Sequence, residues 1–268
     1  MLASRPGINV IYSSGELPEL KSPYLICGFP GSGYVGKMAV DHLIEELHAQ
    51  HLADIYSTSF PPQVLIRSDG TADLMKNTIF YSKGGSSTDT SLLLLTGDSQ
   101  PANPDSEYLL AEEILDIAAR FKTSHVFTLA AYITGVFVEN PRIFGTATDT
   151  DTIKSFGERN ISTMDGGSIT GMNGLIIGSA KLRGVKGTCL LGETSGYVVD
   201  AKASKSLLET LLSIVGVSVD MKNLEKRAKD TEMLIQTIEQ QMAGRMGQPQ
   251  QQQQGSATNR PSDTGYIS

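Results

Sequence analysis

The chain has 268 residues, enough for one large folded domain or two small ones with a sizeable core. Hydrophobic residues make up 40% and charged residues 19%, and 22 basic against 29 acidic residues give a net charge of −7. This acidic balance, without a basic cluster, argues against a nucleic-acid binder, and no apolar run approaches the roughly 18 residues of a membrane span. We therefore expect a cytoplasmic protein with no membrane segment.

Short apolar runs bounded by turn residues alternate with helical patterns along most of the chain. The predicted strands, in chain order, cover residues 8–12, 24–29, 55–60, 64–67, 74–81, 91–96, 125–131, 143–147, 161–164 and 187–191. The predicted helices cover about 33–50, 105–121, 149–157, 175–182 and 203–215. This alternation predicts an α/β fold, a three-layer αβα sandwich over residues 1–219 with a largely parallel or mixed sheet.

A glycine-rich turn joins the first of these apolar strands to the helix that follows it. Gly31, Gly33 and Gly36 have the G-x-G-x-x-G spacing of a dinucleotide fingerprint, and the same stretch begins a phosphate loop. The phosphate-loop pattern ends in Ser or Thr, whereas this chain has Met38, and Asp54 precedes its strand instead of ending it. We therefore favour a packing role, in which the glycines let the helix lie close to the sheet.

A second glycine-rich loop, residues 165–174, also leads into a helix. Two such loops at the ends of strands would form a crevice in which helix N-termini attract anions. The candidate anion-binding residues are Gly31, Ser32, Gly33, Gly36, Gly171 and Gly174. The alternative function is accordingly a nucleotide- or nucleoside-binding enzyme that uses the loops 31–36 and 166–174.

No arrangement of residue types predicts catalysis. The segment Gly192–Gly196 lacks the G-x-S-x-G spacing of a nucleophile elbow, and the histidines and cysteines lack metal-ligand spacing. Cys27 and Cys189 lie in apolar runs that predict buried strands. We predict a protein without catalytic residues, metal or cofactor.

The sequence changes character at residue 220, where apolar residues begin to recur at steps of three and four. The predicted seam consists of Met221, Leu224, Ala228, Thr231, Ile235, Ile238 and Met242. This spacing favours a coiled-coil oligomerisation helix over residues 220–243. An amphipathic helix folded back on its own domain is the alternative.

Residues 244–268 are rich in Gln, Ser and Gly and have little to bury, which predicts a disordered tail. The tail nevertheless ends in Tyr266, Ile267 and Ser268. An aromatic and aliphatic pair on a flexible tether is typical of a short docking motif.

Four segments together resemble the archaeal and bacterial relatives of the eukaryotic proteasome assembly chaperones, notably of chaperone subunit 2. They are Gly28–Gly36, Leu95–Pro101 with the helix after it, Gly171–Leu175 and Leu191–Tyr197, and the resemblance spans residues 24–241. It implies a fold similar to purine nucleoside phosphorylases without that chemistry, and a homo-oligomer such as a tetramer. It also implies a non-enzymatic chaperone or adaptor.

The resemblance implies as well that mobile C-terminal tails dock into pockets between proteasome α-subunits. The tail pattern of similar archaeal proteins is a hydrophobic residue, Tyr and then any residue at the very end. Here Tyr266 is third from the end and Gly265 occupies the hydrophobic position. We therefore expect docking in a different register, with Ile267 as an anchor, or no docking at these pockets.

Overall fold

The computed structural model describes residues 5–13, 16–84 and 90–246, with side chains in the last helix as far as 235 and at 237. The strands are β1 Ile8–Tyr12, β2 Tyr24–Gly28, β3 Gln50–Ser57, β4 Val64–Ile66, β5 Ala72–Leu74, β6 Asn77–Ser82, β7 Leu92–Gly97, β8 His125–Ile133, β9 Ile143–Ala147, β10 Ile161–Thr163 and β11 Lys186–Thr194. The helices are α1 Val35–Glu46, α2 Pro104–Arg120, α3 Thr150–Lys154, α4 Gly171–Leu182, α5 Ala201–Val215 and α6 Lys222–Met246. Contacts divide the chain into two units, the first ending at Glu232 and the second beginning at Met233.

A sheet of nine strands forms the middle layer of the first unit, in the order β1-β3-β6-β7-β2-β8-β11-β9-β10. The four central strands β7, β2, β8 and β11 run parallel, and antiparallel strands extend the sheet on both sides. Strands β4 and β5 form a separate hairpin. The predicted α/β sandwich is confirmed, because helices cover both faces of the sheet.

Each face of the sheet has its own apolar core. One core joins the sheet to α1, α5 and the start of α6, and it contains Leu43, Leu207 and Leu224. The other joins the sheet to α2 and α4, and it contains Ile114 and Ile176. A continuous apolar strand such as Leu92–Leu95 contributes to both cores, since successive side chains point to opposite faces.

Both cysteines lie in these central strands. Cys27 and Cys189 are buried and unpaired, and burial raises the pKa of Cys189 to about 12. Their predicted place in buried strands is confirmed.

The prediction for the end of α1 was wrong by about one turn. The helix ends at Glu46, and His48 adopts the left-handed conformation with φ of 47°. The Ala49 N–H then donates to the Ile44 carbonyl over 3.0 Å, which closes the helix in the manner of a Schellman turn. Glycine usually occupies this position, so the histidine gave no sequence signal that the helix ends here. Strand β3 consequently begins at Gln50 instead of residue 55.

The start of α2 was also predicted at the wrong residue. Asn103 caps this helix, not Asp105, and its side chain accepts a hydrogen bond from the Ser106 N–H over 3.0 Å. Pro104 occupies the first helical position, where a missing N–H costs nothing.

Candidate functional site

The two glycine-rich loops meet at the carboxyl ends of the central parallel strands. They enclose a cavity of about 350 Å³. It is lined by Phe29, Gly31, Ser32, Val35, Gly36, Gln100, Leu129–Ile133, Met164, Ser168–Thr170, Asn173 and Leu191. The predicted crevice between the loops is therefore present, at the edge of an α/β sheet where ligand sites commonly lie.

Two glycines of the first loop region are required by close packing. A Cβ on Gly36 would lie 1.9 Å from the Leu129 carbonyl oxygen, and a Cβ on Gly28 would lie 2.4 Å from the Gly36 oxygen. No side chain fits at these distances, so α1 crosses β2 and β8 in direct backbone contact. This arrangement supports the packing role that we favoured for the glycines.

Gly33 serves a different purpose, because it turns the chain. Its φ of 62° is left-handed, and the following Tyr34 is left-handed as well with φ of 52°. The Asp200 N–H donates to the Gly33 carbonyl over 2.9 Å, which ties the turn to the start of α5. A Cβ on Gly31, by contrast, would approach no atom more closely than the Phe29 carbonyl oxygen, at 4.0 Å.

Lys37, which stands at the lysine position of a phosphate loop, is engaged elsewhere. Its Nζ donates to Thr96 Oγ1 over 3.0 Å and lies 3.0 Å from an Asp41 carboxylate oxygen. The cation is therefore neutralised beside β7, and Lys37 is not among the residues that line the cavity. This contact removes the phosphate-binding charge that the sequence pattern requires.

Gln100 joins the two glycine-rich loops across the cavity. Its Nε2 donates to the Pro30 carbonyl over 2.8 Å, and its Oε1 accepts from the Met172 N–H over 3.0 Å. A distant side chain thus caps α4, which begins at Gly171 and not at residue 175 as predicted. Gly174 lies in the first turn of this helix, where a Cβ would be 2.0 Å from the Ile169 oxygen.

The charge of the cavity bears on the predicted anion site. None of its lining residues, all of which belong to the described chain, carries a formal charge. One N–H at the start of α4 is already paired with Gln100. The structure brings Gly31, Ser32 and Gly36 together at this cavity, with Gly171 and Gly174 in the adjoining helix, but none of the described residues that line it is a cation.

An ion pair that the sequence did not reveal joins the end of β11 to the residue before β9, with Glu193 buried and Arg142 exposed. Arg142 donates from Nε and Nη2 to the Glu193 carboxylate over 2.9 and 2.8 Å, and its backbone N–H donates over 3.1 Å. These hydrogen bonds hold the pKa of the Glu193 carboxyl below its usual value. Glu193 therefore has a structural role: its carboxylate is engaged by Arg142 and holds the start of β9 against the end of β11.

Asp200 connects three elements at the same end of the sheet. Its carboxylate accepts from Thr194 Oγ1 over 2.7 Å and from the Ala203 N–H over 2.9 Å, and it caps α5. Sequence reasoning missed this residue, although an Asp just before a helical pattern is an ordinary cap signal. It holds the turn at Gly33 against the end of β11.

The predicted oligomerisation seam divides into two parts. Leu224, Ala228 and Thr231 are buried within the first unit, and Thr231 Oγ1 donates to the Arg227 carbonyl. Met221 packs against the same core. These side chains do not fit a contact between chains, and the folded-back helix that the sequence left open describes this part of α6.

The remainder of the seam lies in the second unit. Ile235 of the seam is half-buried, and its neighbours Met233 and Leu234, which are not part of the predicted seam, are 59% and 49% exposed. The side chains of Ile238 and Met242 lie outside those that the structure describes, as do Tyr266, Ile267 and Ser268. The seam from Ile235 onward and the docking role of the tail therefore stay predictions.

The described part of the chain contains no group of three or more His, Cys, Asp or Glu residues placed to hold a metal ion. Among the described helices, none combines the length and apolar character needed to cross a membrane.

The sequence of this chain matches a known protein family and a curated relative. Residues 25–239 match the PAC2 family. The uncharacterized protein MJ1210 of Methanocaldococcus jannaschii is 34% identical over 224 residues, which cover 83% of this chain and 85% of that protein.

Solved structures agree with this match. PbaB of Pyrococcus furiosus, described as an archaeal proteasome activator, is 36% identical, with a TM-score of 0.81 over 88% of this chain and 100% of PbaB. PbaA of the same organism, described as an archaeal homolog of proteasome-assembly chaperone, is 26% identical, with a TM-score of 0.71 over 90% of this chain and 94% of PbaA.

Proposed function

The chain belongs to the PAC2 family, and on that premise we propose that it is a non-enzymatic, homo-oligomeric chaperone or adaptor that binds proteasome α-subunits in the cytoplasm. The observation that carries this proposal is the likeness to PbaB, at 36% identity over 88% of the chain. The engaged Lys37 and the uncharged cavity support a binding role over nucleotide chemistry.

Self-association uses the second part of α6. Met233 and Leu234 expose large apolar side chains where the helix continues beyond the first unit. Ile235, Ile238 and Met242 continue the spacing of three and four residues that suits contact between helices. An oligomer formed in this way carries several tails, so weak individual contacts add up to firm binding.

Contact with the proteasome uses the tail, with Tyr266 and Ile267 as the anchoring side chains and Ser268 beside them. An aromatic residue filling a groove between subunits supplies most of the apolar contact in this kind of peptide recognition. Tyr266 is third from the end of the chain, not second as in the pattern of a hydrophobic residue, Tyr and any residue. Ile267 therefore serves as a second anchor.

The test is retention of the full-length protein on immobilised proteasome α-subunits. Full-length protein is expected to be retained, whereas Tyr266→Ala weakens retention and deletion of residues 244–268 abolishes it. Tyr197→Ala is the matched control, because Tyr197 is a 74% exposed tyrosine outside the tail. Equal retention with and without the tail would exclude the tail mechanism, and no retention of the full-length protein would overturn the proposed function.

A second measurement separates activation from assembly. Added to assembled proteasomes, an activator raises the rate at which an unfolded substrate is degraded. Added to free α-subunits, an assembly chaperone raises the yield of rings or half-proteasomes. The higher identity to PbaB than to PbaA, 36% against 26%, favours the first outcome.

A further inference from the structure

The outer edge of β1 is open. β1 is the last strand on its side of the nine-stranded sheet, and its only partner among the described strands is β3. Its five residues include no charged residue and no proline, and Ile11 is 52% exposed. Natural edge strands usually avoid pairing by carrying charges or prolines, or by being very short, as β10 is at the opposite edge with three residues. β1 has none of these protections.

The ladder with β3 determines which backbone groups of β1 point outward. The Thr58 N–H donates to the Gly7 carbonyl over 2.9 Å, so Gly7 directs its carbonyl toward the end of β3. Because the direction of these groups alternates along an antiparallel strand, the N–H and carbonyl groups of Val10 and Tyr12 point away from β3. Each of these two residues therefore offers a donor and an acceptor to a further strand.

A groove of about 730 Å³ lies beside the start of β1. It is lined by Gly7–Asn9, Tyr56–Thr58, Phe60–Val64, Leu74 and Met75, none of which is charged. Val64 and Leu74 are opposite each other in the hairpin of β4 and β5, and they are 50% and 63% exposed. A hairpin of two strands gains stability when another segment covers its apolar face. The groove can thus receive apolar side chains next to an open strand edge.

Charge and area select the kind of partner. The chain has a net charge of −7, yet β1 and the groove are uncharged, so a charged segment would lose hydration there without gaining a counter-charge. Edge-to-edge pairing with a second copy joins only two strands of five residues, which is far less than the roughly 1,000 Å² buried in a specific contact between folded proteins. A flexible, extended peptide can use both the edge and the groove.

From these observations we propose that the outer edge of β1 binds an extended, apolar segment of an unfolded polypeptide. The segment adds a strand to the sheet through hydrogen bonds with Val10 and Tyr12, and its side chains pack in the groove against Val64 and Leu74. Backbone hydrogen bonds supply the affinity in this mode of recognition, and side-chain pockets supply the selectivity. The contact goes beyond the proposed binding of α-subunits and is measured without them, so either proposal can fail alone.

The probes are two short fluorescein-labelled peptides with the same lysine residues at their ends for solubility. One alternates valine with serine, and the other has proline in place of each serine, which removes half of its N–H donors. Binding to the full-length protein is measured by fluorescence anisotropy. The valine–serine peptide is expected to bind at least about tenfold more tightly than the valine–proline peptide.

One pair of variants tests the strand edge. Val10→Pro removes an outward N–H that β3 does not use, so the fold is retained and binding of the valine–serine peptide is expected to fall about tenfold. Val10→Ile keeps the N–H and is expected to bind as the unaltered protein does. Circular dichroism and Tm show whether each variant is folded.

A second pair tests the groove. Leu74→Glu places a charge in the lining and is expected to weaken binding about fivefold. Ile66→Glu is the matched control, because Ile66 is a 68% exposed residue of the same hairpin outside the groove lining. It is expected to change binding by less than about twofold.

Four results would overturn the proposal. The first is equal binding of the two peptides, and the second is unaltered binding by folded Val10→Pro and Leu74→Glu. The third is that binding appears only after deletion of residues 244–268, which would make the tail the occupant of the edge. The fourth is a lower subunit number for Val10→Pro in light scattering, which would make a second copy the occupant.

Discussion

At the scale of single residues, Gly36 sets how closely α1 approaches the sheet. A methyl group there would lie 1.9 Å from the Leu129 carbonyl oxygen, which belongs to the backbone and cannot move aside. Gly36→Ala is therefore expected to lower the free energy of unfolding by about 3 kcal/mol. Urea denaturation followed by circular dichroism measures this loss.

Gly178 provides the matched control, because it is also a helical glycine but has open space around its Cβ position. Gly178→Ala is expected to raise the free energy of unfolding by about 0.5–1 kcal/mol, since alanine has the higher helix propensity. Similar effects at Gly36 and Gly178 would show that α1 does not lie against β8 as described.

His125 makes the stability of the fold depend on pH. Its ring stacks on Phe127 with centroids 4.3 Å apart, and Nε2 lies 2.8 Å from Thr188 Oγ1. Burial lowers the pKa of His125 to about 4, Asp149 opposes that shift and Lys186 adds to it. The folded chain therefore keeps this ring neutral at a pH where the unfolded chain protonates it.

The sign of the pH effect follows from the lowered pKa. Between pH 6.5 and about 4 the unfolded state binds more protons, so stability is complete above pH 6.5 and falls as the pH decreases toward 4. We expect this group to account for about 2 kcal/mol, a value reduced because the ring is partly exposed. His125→Gln should flatten the pH profile of unfolding over this range, and an unchanged slope would contradict the assignment.

At the scale of secondary-structure elements, Asp200 fastens α5 to the end of β11 and to the turn at Gly33. Asp200→Ala removes the cap of α5 and leaves Thr194 Oγ1 without its acceptor. We expect a loss of about 2–3 kcal/mol in the free energy of unfolding, measured by chemical denaturation.

Two comparisons separate these contributions. Asn103→Ala removes the cap of α2 at an exposed site and is expected to cost only about 1 kcal/mol. Asp200→Asn keeps an acceptor for the Ala203 N–H, so its loss of unfolding free energy is expected to lie between the losses for Asn103→Ala and Asp200→Ala. Equal costs at Asp200 and Asn103 would mean that the contact with Thr194 contributes nothing.

Much of the fold was predictable because the apolar pattern follows the elements. The continuous run Leu92–Leu95 indicated a strand buried on both faces, and the structure places it in the parallel centre of the sheet. The wrong predictions concern helix ends, where the contact that starts or stops the helix is unusual or comes from a residue distant in the sequence. His48 stops α1 in a conformation that normally indicates glycine, and Gln100 caps α4 from another loop.

The candidate site was predictable only in outline. Glycine spacing indicated that two loops meet at one crevice, which the structure shows. The pairing of Glu193 with Arg142 depends on which strands are neighbours in the sheet. No local pattern contains that information, because Arg142 precedes β9, whose partner β11 lies far along the chain.

At the scale of the whole molecule, the first unit needs the start of α6 to complete its core. Leu224 is 1% exposed and Ala228 is 8% exposed, and both belong to the core beneath α1 and α5. A chain that ends at Val219, the predicted domain boundary, is therefore expected to be about 2–4 kcal/mol less stable than one that ends at Glu232. Thermal unfolding of the two truncated chains measures the difference.

The same pair of truncations tests the proposed oligomer. The chain that ends at Glu232 keeps its core but lacks Ile235, Ile238 and Met242 of the predicted seam, together with the exposed Met233 and Leu234. Light scattering after size-exclusion chromatography is expected to show a monomer for this chain and an oligomer for the full-length protein. If the truncated chain kept the full-length subunit number, α6 beyond Glu232 could not be the contact between chains.

The order of strands in the sheet also constrains how the chain folds during synthesis. β2 is the first central strand to leave the ribosome, yet its two neighbours, β7 and β8, start only at Leu92 and His125. About a hundred more residues must therefore be synthesised after β2 before both of its edges can pair with neighbouring strands. Such late, long-range pairing slows folding and prolongs the exposure of apolar, aggregation-prone segments to solvent. The nascent chain is therefore expected to need protection until β8 has been synthesised.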